Sequence, residues 1–340
     1  MSPTDLFGRP LANLRVSVTD RCNLRCAYCM PEEEYAWLPR QDILRFEELA
    51  LLVDAFIELG VTRVRLTGGE PLMRRDLDLF VALLAARPAL EDIALTTNGL
   101  LLAEQAARLA RAGLQRVTVS LDTLDPARFR ALTRRDEHAQ VLAGIAAARK
   151  AGFRKLKLDS VILRGTNEDE LVPLIEFAQR HAAELRFIEY MDVGGATQWT
   201  MERVFTRAEM LRDLERAYGP IRALEEHSSA PAERYMLSDG TVFGIIASTT
   251  APFCSSCDRS RLTADGMWFM CLYAKQGLNL RALLRGGAST SAIATALKQR
   301  WTGRSDRGAE ERLAAAERAP LANQGELRTN PHLEMHTRGG

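Results

Sequence analysis

From residue 14 to about residue 190, short β-rich runs alternate with stretches whose apolar residues recur at helical spacing. Six strands are predicted: Leu14 to Val18, Arg63 to Thr67, Asp92 to Thr97, Arg116 to Leu121, Lys155 to Leu163 and Leu185 to Tyr190. Between them Phe46, Leu49, Val53, Phe56 and Ile57, and again Leu171, Leu174, Ile175 and Ala178, trace the apolar stripes of amphipathic helices. Gly60, Gly113 and Gly152 stand where three of these helices must end. Repeated βα units of this kind build a parallel sheet.

Several strands alternate strictly. Val64 and Leu66 interleave with Arg63, Arg65 and Thr67, and Leu156 and Leu158 with Lys155, Lys157 and Asp159. Arg15, Thr118, Ser120 and Arg186 occupy the same kind of alternate position. A closed eight-stranded barrel fills its interior with branched apolar side chains, so polar inner faces predict an α/β fold of another kind. The expectation is an incomplete (βα)6 TIM-type barrel whose lumen holds a ligand. The competing reading is that these faces are solvated strand edges. Beyond Met191 the rhythm changes to a helix around Arg207 to Tyr218, a hairpin through Asp239 and Gly240, and a polar stretch from about Thr302 that orders against the rest of the protein. The boundary is placed near residue 225, giving a barrel core of residues 5–225 and a smaller C-terminal domain of residues 226–340.

With 340 residues, 46% of them apolar, the chain has ample material for a large core. The 45 basic and 44 acidic side chains leave a net charge of +1, which argues against nucleic acid or an anionic membrane as partner. No run of eighteen apolar residues occurs, and the first fifteen residues lack a basic stretch leading into an apolar one. A cytoplasmic enzyme is expected. All six cysteines fall in two triads, Cys22/Cys26/Cys29 and Cys254/Cys257/Cys271, a grouping that favours metal over disulfides in a reducing compartment.

The first triad follows directly on the first strand, where parallel α/β folds place their chemistry. Three thiolates with no fourth cysteine or histidine nearby suit a [4Fe-4S] cluster that keeps one iron open. The same count applies to the second triad, where zinc completed by a ligand from elsewhere is the alternative; at the first, zinc would be a three-ligand site with an open position, which seldom uses Cys alone. Neither GxxxxGK[ST] nor GxGxxG occurs, so scattered Arg and Lys would have to bind any phosphate.

Cys22-Asn-Leu-Arg-Cys26-Ala-Tyr-Cys29 after a first strand resembles the signature of the radical SAM superfamily, whose open iron binds S-adenosyl-L-methionine. Thr67-Gly68-Gly69-Glu70-Pro71 resembles the superfamily segment that receives the methionine amino group. Ala251 to Cys254, and Cys257-Asp-Arg-Ser-Arg-Leu-Thr-Ala-Asp-Gly266, resemble the C-terminal signature of the molybdenum cofactor biosynthesis protein A family, the GTP 3',8-cyclases. The similarity extends from Leu14–Arg21 through Arg186–Gly194 to a terminal Gly339-Gly340.

The resemblance implies two [4Fe-4S] clusters at opposite ends of one channel, with GTP between them. It implies hydrogen removal from the ribose C3' by a 5'-deoxyadenosyl radical and closure onto guanine C8, the first step of molybdenum cofactor biosynthesis. By the same analogy Arg15, Arg65, Thr96, Lys157, Arg259, Ser260 and Arg261 are GTP-binding positions, and Arg186 is a further cation in the channel. Tyr28, Gly68, Gly69, Glu70, Ser120 and Met191 correspond to S-adenosylmethionine contacts, and Gly339 and Gly340 reach back to assist catalysis. An electron donor protein and handover to the downstream cyclic pyranopterin monophosphate synthase are the implied partners.

Two departures stand out: Asp258 where Asn is common, and Arg338 where an apolar residue often anchors the tail. His332 and His336, at helical spacing, read as surface residues. The alternatives are a radical enzyme that modifies a peptide and a zinc-bearing, non-catalytic interaction protein.

Overall fold

The computed structural model describes residues 2–225 and 229–339. Strands β1 (Asn13–Ser17), β2 (Arg63–Thr67), β3 (Asp92–Thr97), β4 (Arg116–Ser120), β5 (Lys157–Ile162) and β6 (Glu184–Glu189) form within two residues of their predicted limits. They alternate with α1 (Phe46–Ile57), α2 (Leu77–Ala85), α3 (Leu102–Arg111), the pair α4 (Pro126–Thr133) and α5 (His138–Lys150), and α6 (Leu171–Arg180). Each strand pairs in parallel with the next. Gly60, Gly113 and Gly152 close their helices with φ of 94°, 102° and 94°, a conformation that suits glycine.

The alternation has the meaning expected of a lumen. Val64 and Leu66 are buried in the apolar layer shared with the helices, whereas Arg65 between them lines a central cavity. On β5, Leu158 joins that layer while Lys157 and Asp159 face the cavity. The polar faces are therefore interior, not solvated edges.

The sheet continues past six strands. After α7 (Arg207–Tyr218) come β7 (Arg222–Leu224), β8 (Glu233–Met236), β9 (Val242–Ile246), β10 (Arg259–Leu262), β11 (Met267–Phe269) and β12 (Leu278–Asn279). Strand β9 adds in parallel to β6, and β10 in parallel to β1. Eight parallel strands thus run β10-β1-β2-β3-β4-β5-β6-β9, with β11 and β12 at one margin and β8 and β7 at the other. Among the described residues the margins do not pair, so the barrel stays open. The boundary expected near residue 225 falls inside the antiparallel β7–β8 hairpin, which pairs Arg222 with Met236. The physical reason is the unpaired backbone that β1 and β6 would otherwise present at their edges; the C-terminal third covers both. One apolar core accordingly includes Leu14, Phe187, Phe243, Trp268 and Trp301.

Helices α8 (Leu280–Arg285), α9 (Thr290–Thr302), α10 (Gly308–Leu313), α11 (Gln324–Thr329) and α12 (Met335–Arg338) complete the chain. The polar stretch after Thr302 has a small apolar cluster of Ala322, Leu327 and Leu333 and is tied to the rest of the protein by polar side chains. Buried Asp192 accepts from Arg312 Nε at 2.7 Å, Arg318 Nε at 2.9 Å and the Tyr273 hydroxyl at 3.0 Å. No described helix is long and apolar enough to cross a membrane.

Candidate functional site

The lumen is a cavity of about 1080 Å³, and all six cysteines line it. The loop bearing Cys22, Cys26 and Cys29 leaves the C-terminal end of β1. Cys257 stands two residues before the first residue of β10, Arg259, which pairs with Asn13 at the start of β1. Because the two strands are parallel, the triads sit toward opposite ends of the barrel.

Backbone contacts shape the first triad. Gly69 N–H donates to Thr19 O at 2.9 Å and Glu70 N–H to Arg21 O at 2.7 Å. A Cβ at Gly68 would come within 2.4 Å of Thr19 O, and one at Gly69 within 2.3 Å of Arg21 O. The glycine pair is thus demanded by the approach of the cysteine loop itself. Glu70 is buried, and its carboxylate accepts from Leu72 N–H (2.9 Å), Thr97 Oγ1 (2.7 Å) and Asn98 N–H (2.7 Å). Burial pushes its pKa up to about 7 despite these bonds. Its side chain therefore ties the end of β2 to the end of β3.

Tyr28 and Met191 line the cavity with Ser120. The Tyr28 hydroxyl donates to Asp122 at 2.6 Å, and Val161 N–H donates to the other oxygen of Asp122 at 2.8 Å. Burial raises the Asp122 carboxyl to about 6. Asp122 was not among the residues singled out in the sequence. Its signal was there, since Thr118, Ser120 and Asp122 continue one polar face off the end of β4.

Burial raises the Cys22 thiol to about 11; burial, then Asp122 and the neighbouring thiols, raises Cys26 well above its ordinary value, and burial, then Cys22, raises Cys29. Three crowded thiolates are stable there only around a cationic group. Among the described residues no three His, Cys, Asp or Glu side chains converge on a single ion. A cluster, which takes one thiolate per iron, fits three lumen-facing thiols at the end of a strand.

The second triad is held from behind. Arg9 donates to Cys254 O at 2.8 Å and Arg304 to Cys257 O at 2.9 Å, and Asp5 lies 2.5 Å from the first guanidinium and 3.5 Å from the second. Burial raises Cys257, but Arg259 and Arg304 outweigh it and bring the thiol down to about 7. Cys271, raised by burial to about 11, packs so tightly on Gly308 that a Cβ there would lie 3.1 Å from its sulfur.

Between the triads lie the cations. Arg15 is in register with Arg261 on one side and Arg65 on the other, so three arginines form one row across β10, β1 and β2. Like charges so placed repel unless an anion joins them. Burial first, then Arg261 and Arg65, hold the Arg15 guanidinium well below its ordinary pKa. Arg65 donates to Thr96 Oγ1 at 3.0 Å and Thr118 Oγ1 at 3.1 Å, which makes Thr96 a support of that arginine. Lys157 and Arg186 share Glu184, at 2.7 and 3.0 Å. Arg259 stands 4.5 Å over the Phe253 ring and also lines the cavity. Ser260 does not join them. It is fully buried on the other face of β10, in register with Leu14, because strand alternation turns it away from its two arginine neighbours.

The tail returns to this site. The Gly339 carbonyl accepts from Arg261, and a Cβ on Gly339 (φ 70°) would fall 1.9 Å from Thr67 Oγ1. Gly340 lies outside the described residues. Arg338 is buried: it donates through Nε to His332 O and, at 2.6 Å, through Nη1 to Leu272 O, and stands 4.2 Å over Phe269, while Nη2 has no hydrogen-bond partner among the described residues. The charged residue that stands in place of an apolar anchor therefore packs inside and finds partners there. The surface reading of the histidines is corrected, since His332 bonds Asp265 at 2.8 Å and buried His336 lies between Tyr35 and Trp37 at 5.3 and 5.5 Å. The correction follows from the tail folding back instead of lying on the surface. Asp258 is buried and accepts from Asn13 Nδ2 and from Ser229 Oγ at 2.7 Å, which accommodates the acid at the start of β10.

Residues 16–178 match the radical SAM superfamily, and residues 183–310 match the family described as Molybdenum Cofactor Synthesis C. The chain is 57% identical over 340 residues to GTP 3',8-cyclase 3 of Mycobacterium bovis (strain ATCC BAA-935 / AF2122/97), covering 99% of this chain and 90% of that one. It is 47% identical over 321 residues to GTP 3',8-cyclase of Xanthomonas axonopodis pv. citri (strain 306), covering 92% and 95%. The solved structure of Streptococcus suis SuiB bound to S-adenosylmethionine aligns with a TM-score of 0.60 at 15% identity, over 88% of this chain and 77% of that one, a likeness of fold.

Proposed function

The chain belongs to the radical SAM superfamily and, within it, to the GTP 3',8-cyclases, and from that premise we propose that it converts GTP to (8S)-3',8-cyclo-7,8-dihydroguanosine 5'-triphosphate at the start of molybdenum cofactor biosynthesis. Cys22, Cys26 and Cys29 would hold one [4Fe-4S] cluster, and Cys254, Cys257 and Cys271 the other. When bound, the first cluster with S-adenosylmethionine supplies the carbon radical that takes hydrogen from ribose, and the second offers an open iron to the base.

The residues of the chain orient and enclose. The row of Arg261, Arg15 and Arg65 supports the reading most strongly, because three cations in register, with Asp159 as the acid facing Arg15 and Arg65 across the lumen, leave positive charge that suits a polyanion such as a triphosphate. Lys157 and Arg186 extend that field on the far wall, with Glu184 holding both ammonium and guanidinium in place. Thr96 fixes the fork of Arg65. Tyr28, steered by Asp122, and Ser120 and Met191 flank the space beside the first triad, where they would contact S-adenosylmethionine. Gly68 and Gly69 keep the cysteine loop close enough for backbone carbonyls to meet a ligand's amino group. Enclosure by the C-terminal third keeps stray hydrogen donors from a carbon radical.

An electron donor protein, a cytoplasmic location and release of product to the downstream cyclic pyranopterin monophosphate synthase complete this reading. The test is anaerobic reconstitution with iron and sulfide, then incubation with GTP, S-adenosylmethionine and a reductant. Equal yields of 5'-deoxyadenosine and a cyclised nucleotide are expected. Zinc in place of iron in anaerobically purified protein, or deoxyadenosine with GTP left intact, would overturn it.

A further inference from the structure

We infer that Arg338 is a positioning residue that couples the C-terminal tail to the segment carrying Cys271, and so fixes where the Gly339 carbonyl meets Arg261. The Arg338 guanidinium reaches Leu272 O at 2.6 Å, one residue beyond Cys271, and also the carbonyl of His332. It stands 4.2 Å over the ring of Phe269, and Phe269 is the β11 residue in register with Arg261. Arg261 in turn donates to Gly339 O, and to Arg338 O at 3.4 Å. The contacts close a ring: tail side chain to the Cys271 segment, that segment to β10, and β10 back to the tail backbone.

Among the described residues no carboxylate pairs with this guanidinium, which is 1% exposed. Burying a charge with only carbonyls and a ring as partners is unfavourable unless direction is gained. An apolar side chain would cover Phe269 equally well, but it would leave two carbonyls unbonded and the tail free to slide. A planar fork with two fixed acceptors sets the tail's angle as well as its depth. Burial and the nearby Arg261 together hold Arg338 down to about 9, which agrees with two cations kept close by the carbonyls between them.

The inference rests on the cyclase reading for its kinetic arm alone. Arg338→Met and Arg338→Lys would be compared with wild type in anaerobically reconstituted protein, by amide hydrogen exchange over residues 333–339, iron content, deoxyadenosine formation and steady-state kinetics with GTP. In Arg338→Met, tail exchange should rise about tenfold or more at unchanged iron content. Its kcat for cyclisation should fall on the order of ten- to a hundred-fold while KM for GTP stays within about twofold, because alignment rather than binding is lost. Deoxyadenosine should still form, now uncoupled from product, and Arg338→Lys should recover part of both effects. Wild-type exchange and kcat in Arg338→Met would overturn the inference, as would loss of half the iron in both variants, which would make Arg338 a mere support of the fold. Should wild type itself make no cyclised product, the cyclase reading falls, and the exchange data alone decide for or against Arg338.

Discussion

Arg15 and Arg261 face one another from adjacent parallel strands in the middle of the lumen, and Arg65 continues their row. Opposed charges of one sign destabilise a sheet by roughly 0.2 to 1 kcal/mol per pair. Arg15→Met should therefore raise the melting temperature without nucleotide while weakening GTP binding. Losing a charged hydrogen bond removes about 1.5 to 3 kcal/mol, on the order of ten- to a hundred-fold in affinity. Calorimetry and GTP titration on one preparation check both signs, and a drop in stability together with intact binding would refute the polyanion site.

Glu70 links stability to pH. Its carboxyl rises from an ordinary 4.5 to about 7 in the folded protein. Between those values the folded state binds more protons than the unfolded one, so its contribution is full below pH 4.5 and is lost as pH rises through about 7. Thermal unfolding from about pH 5.5 to about 8 should show stability falling in wild type and a flatter profile in Glu70→Gln. An unchanged slope in the variant would rule out Glu70 as the source.

Replacing cysteines should separate the two triads. Cys26→Ala should lose about half the iron and all deoxyadenosine formation, whereas Cys271→Ala should lose a similar share of iron yet retain cleavage and make no cyclised product. Iron analysis and chromatography of both products read the outcome. Normal cleavage in Cys26→Ala would reverse the assignment.

Gly339→Ala would force a methyl group to 1.9 Å from Thr67 Oγ1 at a positive φ. Cyclisation should drop by about tenfold or more as the tail lifts from Arg261. The Thr67→Ala/Gly339→Ala double variant, which removes the clashing oxygen, should recover part of it. Equal activity in all three proteins would make the tail dispensable.

Much of this was legible in the sequence because it obeys short periods. The βα rhythm locates β1 to β6, and alternation assigns Arg15, Arg65, Lys157 and Arg186 to the lumen. Ser260 was misassigned by adjacency, since its neighbours are lumen arginines and a strand turns every second residue away. Strands β9 and β10 went unseen as barrel members, because joining β6 and β1 is a contact between distant parts of the chain with no local trace. The placement of Arg338 and His336 was hidden for the same reason. A polar tail signals exposure until the carbonyls of Leu272 and His332 and the rings of Tyr35, Trp37 and Phe269 are seen around it.

The pairing of β10 with β1 also sets an order of events at the ribosome. Asn13 and Asp258, which bond to each other at that seam, are 245 positions apart. At roughly 5 to 20 residues per second, β1 waits on the order of ten seconds or more for this neighbour. Over that interval its outer edge is bare and the lumen is open along one side, a state that invites pairing with other chains.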